Sequence, residues 1–124
     1  MIAVDSSTLI AYIQGDSGPD TALLERSIGD NQLSLPPVTL TEVLSDPKLP
    51  PSHAALIKRL AVLDVHDGYW LRAAEQRAKI LARKLRARLP DTLIAQSCID
   101  HDVPLVQRDG DFRHFAKYCG LKLA

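Results

Sequence analysis

Apolar positions follow two rhythms along this chain: short unbroken runs, and longer stretches in which they recur every three or four residues. The runs "MIAV", "QLSL", "AVLDV" and "VPLVQ" predict buried strands. After the first, "DSSTLIAYI" passes through small hydroxyl residues into a helix. "SGPDTALLERSIGD" predicts a second helix, opened by Pro19 and Asp20, with Leu23, Leu24 and Ile28 as its stripe. "PPVTLTEVLSDP" predicts a third that stops before Pro47, and "PPSHAALIKRL" a fourth. Trp70, Ala74, Ala78, Leu81, Leu85 and Leu89 predict one long amphipathic helix ending at Pro90. "DTLIAQSCIDHD" and the short "DFRHFAKYC" supply the last two helices.

Apolar runs alternating with helices indicate an α/β fold, a three-layer α/β/α sandwich around a mostly parallel sheet covered on both faces. No repeat, linker or low-complexity tract interrupts it, so residues 1–124 are expected to form a single domain. With 46% hydrophobic and 24% charged residues the composition is that of an ordinary globular domain. Cys98 and Cys119 are the only cysteines and form no CxxC, which suits a reducing cytoplasm. The apolar opening reaches Asp5 too soon for a signal peptide or membrane span, and a cytoplasmic protein with no membrane partner is expected.

Formal charge is zero, with 15 basic and 15 acidic residues, so no overall positive field points to nucleic acid. The distribution is uneven, because Arg72, Arg77, Lys79, Arg83, Lys84, Arg86 and Arg88 stand against the single acid Glu75. Arg72, Lys79, Arg83 and Arg86 are expected on one helix face, as RNA-phosphate contacts or as a solvated face.

The acids carry more chemistry. Asp5 follows the first strand, and Asp109 and Asp111 follow the last. In parallel sheets ligands sit beyond the carboxyl ends of the strands, where strand order reverses. Glu42 and Asp91, near the starts of two helices, complete a set that would meet on one rim. Such a cluster is unfavourable alone and becomes favourable around a divalent cation, and oxygen-only ligands suit magnesium, with manganese able to substitute. Gly110 is expected to let the chain turn between Asp109 and Asp111. Each acid also has a structural alternative: Asp5 and Asp91 as helix N-caps, Glu42 as the partner of Thr39 in a capping box, and "RDGD" as a plain turn.

The blocks "IAVDSSTLIAYI", "LPPVTLTEVLSDP" and "DTLIAQSCIDHDVPLVQRDGDF" resemble the PIN-domain ribonucleases, and among them the VapC-type toxins of toxin-antitoxin pairs. The resemblance implies a metal-dependent endoribonuclease toxin that hydrolyses RNA phosphodiester bonds, is inhibited by a cognate antitoxin and forms a homodimer. It maps the catalytic acids onto Asp5, Glu42, Asp91 and Asp109, with Asp111 as an accessory acid. Asp5, Asp91 and Asp109 are the direct metal candidates; Glu42 and Asp111 reach the ion directly or through water. Gln107 departs from the threonine or serine usual two residues before the fourth acid. That departure sustains a second reading, a degenerate PIN-like module that binds RNA or protein without cutting.

Other chemistry has little support. His53, His66, His101 and His114 show no paired metal-ligand spacing, and Cys98, three before His101, is expected to pack as a small hydrophobe. A phosphotransfer domain with Asp5 in an acid pocket is a further alternative, predicting a phosphorylated aspartate under a small phosphodonor.

Overall fold

A computed structural model describes residues 1–124. The chain runs β1 (Ile2–Val4), α1 (Ser6–Ile13), α2 (Pro19–Gly29), β2 (Leu33–Leu35), α3 (Pro37–Leu44), α4 (Pro51–Lys58), β3 (Ala61–Val62), α5 (Tyr69–Leu81), α6 (Leu89–His101), β4 (Leu105–Val106) and α7 (Arg113–Cys119). The strands form one sheet in the order β3-β2-β1-β4. Every pairing is parallel, with Ala3 opposite both Ser34 and Leu105. A parallel bridge from Leu123 to Leu105 covers the outer edge of β4.

Alternation along the strands builds two cores. Ala3 and Leu105 face Ile80, Ile94, Cys98 and Phe115 from α5, α6 and α7. Val4 and Val106 face the other way, onto Leu9, Leu24, Val43 and Ile57 from α1 to α4. Burying each of the valine, leucine, isoleucine and phenylalanine side chains is worth about 1.5–3 kcal/mol, so the two faces together hold the layers. The three-layer expectation is met. No helix is long and apolar enough to cross a membrane.

The long helix expected to run to Pro90 is not formed. Helix α5 stops at Leu81, the chain turns through Lys84 at φ 61°, and Pro90 lies in the first turn of α6. Proline is tolerated there because the first amides of a helix have no intrahelical acceptor. The expected apolar stripe is also rotated. Tyr69, Ala73, Gln76 and Ile80 are buried, whereas Trp70, Ala74, Ala78 and Leu81 face solvent and Leu89 is exposed in the first turn of α6. The buried polar atoms explain this: the Tyr69 hydroxyl donates to Leu93 O at 2.6 Å, and Gln76 Nε2 donates to Gln96 Oε1 at 2.8 Å and to Thr92 O.

Strand order reverses between β1 and β4, where β1 leads into Asp5 and β4 into the loop carrying Asp109 and Asp111. The sheet therefore opens its crevice beside the acids.

Candidate functional site

Asp5 leaves β1 into this crevice and is buried. It stands at the N-cap position of α1 but makes no capping bond through its side chain. Its Oδ2 accepts instead from the Ser7 hydroxyl at 2.7 Å. Burial pushes the Asp5 carboxyl above its ordinary value, the Ser7 hydroxyl pulls it back, and the charge of Asp91 raises it again.

Asp91 enters from the first turn of α6, also buried, with Arg88 rather than Asp91 at the N-cap position. Burial raises its pKa; Arg88 opposes the shift, while Asp111 and Glu42 add to it. Asp5, Asp91, Asp111 and Glu42 thus share one negative field.

The capping box does not form. Helix α3 begins at Pro37, so Glu42 lies beyond the first turn, exposed, and accepts from the Ser6 hydroxyl at 2.6 Å. Thr39 donates to Val4 O at 2.9 Å, tying α3 to the end of β1. Ser6 and Ser7, whose hydroxyls bond Glu42 and Asp5, were not among the expected site residues, although the hydroxyl-rich stretch after β1 was the available signal; Thr39, expected to pair with Glu42 in a capping box, bonds β1 instead.

Asp109 and Asp111 do not both face the crevice acids. Gly110 turns at φ +71°, as expected, and its amide donates to Gln107 Oε1 at 2.7 Å. Asp111 accepts from Arg88 at 2.9 Å, whereas Asp109 is exposed and its charge is felt by Arg108. Arg108 in turn grips Asp20 at 2.8 and 3.1 Å, and Thr8 donates to the same carboxylate. These bonds, Arg108 first, hold Asp20 down to about 2 and clasp the β4–α7 loop to α1 and α2.

The cation among the acids is Arg88. Its Nε donates to Asp91 at 3.0 Å and its terminal nitrogen to Asp111 at 2.9 Å. No three histidine, cysteine, aspartate or glutamate side chains are grouped to hold a metal ion. The donor set nonetheless suits a hard divalent cation: carboxylates only, two of them buried, on a rim that already draws a positive charge.

The residues expected on the basic face have different partners. Arg72 forks onto Asp100 at 2.9 and 2.7 Å, and Arg83 lies 4.2 Å over the Tyr118 ring. Lys79 is exposed on α5, while Arg86 lines a small charged pocket with Arg88, Asp91, Asp111, Arg113 and His114. The arginines that line this pocket with Asp91 and Asp111 are Arg86, Arg88 and Arg113, two of them absent from the expected set. Burial pushes the Cys98 thiol up to about 12, which makes it no nucleophile. His66 and His101 stack with ring centroids 4.2 Å apart, and His53 lines an apolar groove between α1, α2 and α4.

Comparison with known proteins bears on this geometry. The family model described as PIN domain matches residues 2–118. No curated protein matches the chain. Among solved structures, VapBC2 from Rickettsia felis bound to a DNA fragment from their promoter is similar, with a TM-score of 0.77 and 20% identity over 100% of this chain and 98% of that one.

Proposed function

This chain belongs to the PIN domain family, and on that premise we propose that it is a magnesium- or manganese-dependent endoribonuclease, the toxin of a VapC-type pair. The observation that carries the reading is the buried pair Asp5 and Asp91 at the strand-order reversal, both carboxyls raised by burial and both within the field of Arg88. In this reading residues 1–124 form one PIN-like domain, and Asp5, Asp91, Asp109 and Asp111 hold the metal. Glu42, oriented by Ser6, joins Asp5, Asp91 and Asp109 as a catalytic acid. Asp109 stands exposed beside the Gly110 turn and in this reading moves to the ion as it binds. A divalent ion there supplies charge neutralisation at the phosphodiester and lowers the pKa of an attacking water. The carboxylates supply its ligands and an acceptor for the water's proton, and Arg86 with Arg113 offers donors to the RNA phosphates. The products carry 5′-phosphate and 3′-hydroxyl ends.

The protein acts in the cytoplasm with a cognate antitoxin, as a homodimer. The Rickettsia felis neighbour, a VapBC2 assembly, supports an antitoxin partner. The groove lined by Leu9, Tyr12, Ile13, Leu56 and Leu60 offers an apolar seat for one of its segments. A module that binds RNA or protein without cutting is the second reading, favoured by Gln107, whose side chain accepts from the Gly110 amide where a hydroxyl residue is usual.

The test is cleavage of a mixed cellular RNA pool with magnesium, manganese or chelator, alongside Asp5→Asn and manganese calorimetry. Metal-dependent cutting that disappears in Asp5→Asn is the expected result. A folded protein that binds RNA but neither metal nor cuts would establish the binding module instead.

A further inference from the structure

Resting on the metal-site reading above, we infer that Arg88 is a displaceable counter-ion of that site: it bridges Asp91 and Asp111 while no divalent ion is bound, and leaves Asp91 when one enters.

The argument starts from valence and reach. Asp5, Asp91, Asp111 and Glu42 act on one another, and an acidic crevice of this kind needs positive charge to persist. Arg88 supplies it from the residue just before α6, one nitrogen on Asp91 at 3.0 Å and another on Asp111 at 2.9 Å. It reaches two carboxylates with a planar fork, as a guanidinium does well and a lysine does not. Arg88 Nε–H occupies a lone pair on Asp91 Oδ2, and a divalent ion coordinating Asp91 draws on the same single negative charge at close range to the guanidinium. Both cannot hold that carboxylate fully, so the two cations compete.

Arg88 is also placed to leave. Its side chain is half exposed, so withdrawing it strands no buried charge in an apolar interior. Of the other lining groups, Arg86, Arg113 and His114, none is an acid and the two arginines repel it, while Asp5 attracts it through charge without a hydrogen bond. By contrast the fork of Arg72 on Asp100 is shared with Gln96, which anchors that carboxylate from a second side. The two arginines differ in what their aspartates have besides them. Arg88 holds its site lightly, and its departure sets a threshold for metal entry.

The experiment measures metal binding directly. Manganese calorimetry on wild type, Arg88→Gln and Arg88→Lys is paired with magnesium titration of the wild type, following the Arg88 Nε–Hε resonance, assigned by its loss in Arg88→Lys. Far-UV circular dichroism confirms that the variants are folded. Expected results are manganese affinity about fivefold tighter in Arg88→Gln, the scale of releasing one exposed ion pair, and an intermediate gain in Arg88→Lys. The Arg88 resonance shifts toward the solvent-exposed position as magnesium saturates. Equal or weaker manganese binding in Arg88→Gln, or a resonance unmoved at saturation, overturns the counter-ion role while leaving the metal site standing. If Arg88→Gln does not fold, Arg88→Lys and the wild-type resonance decide alone. Absence of metal binding in every protein overturns the metal site itself, and the counter-ion role with it.

Discussion

Helix α6 carries an aspartate near each end, each paired with an arginine, and the two behave in opposite ways. Asp91, in the first turn, has its carboxyl raised; Asp100, near the last, has it lowered. Side-chain accessibility alone does not separate them, at 11% and 6%, although Asp91 is the more deeply enclosed by the protein. The helix dipole does not either, because it favours negative charge at the first turn and disfavours it at the last. What differs besides that depth is the number of donors. Burial pushes Asp100 up too, but the Arg72 fork and the Gln96 amide outweigh it. Asp91 receives only Nε from an arginine that divides itself with Asp111, and it sits among other acids. One end of the helix is satisfied from within the protein; the other is left wanting a cation. That contrast separates a structural ion pair from the proposed metal site more sharply than the identity of either residue.

Substitution at the two ends should give opposite phenotypes. Asp91→Asn should lower manganese affinity and RNA cleavage by roughly 100-fold or more, a loss on the scale of removing one charge-stabilising group from an active site. It should keep the fold and melt higher than wild type in chelator, because it removes a buried charge; calorimetry and a circular-dichroism melt check both. Asp100→Asn should bind manganese as wild type does and melt roughly 5 °C lower, since Arg72 and Gln96 lose a charged acceptor. If both variants lose metal binding equally, the contrast fails.

The pH dependence of the metal-free protein sharpens it further. Asp5 and Asp91 keep their protons to higher pH folded than unfolded, so the stability they add in acid is lost as pH rises from 3.8 through their raised values. Asp100 and Asp20 are lowered, Asp20 to about 2, so their contribution is present above 3.8 and lost as pH falls below it. In chelator, the melting advantage of Asp91→Asn over wild type should therefore grow from pH 4 to pH 7, while the deficit of Asp100→Asn shrinks below pH 4. The smallest expected effect is at the loop clasp: Asp20→Asn should lower the melting temperature by roughly 2 °C and weaken metal binding only slightly.

Much of this architecture was legible in the sequence because strands and their covering helices leave different periods. The rim was legible too, since an acid at the end of a central parallel strand has few other places to go. The rotated face of α5 was not. Alanines at 73, 74 and 78 populate several of its faces, and its buried stripe includes Tyr69 and Gln76, whose hydroxyl and amide nitrogen donate to α6. Nor was the unequal fate of Asp109 and Asp111, which depends on the Gly110 turn and on an arginine 23 residues before Asp111. Local spacing reports which way a side chain points, not what stands opposite it.

The rotated helix has one more consequence. Trp70 is the chain's one tryptophan, and it stands 65% exposed on α5, edge-on to the buried Tyr69. Its indole is already largely hydrated in the folded state, so intrinsic emission starts near the red limit and changes little when the chain unfolds. Anything that covers α5 instead dries the ring and moves its emission to the blue. The molecule carries an optical reporter that is nearly silent on denaturation and responsive to association on that one face.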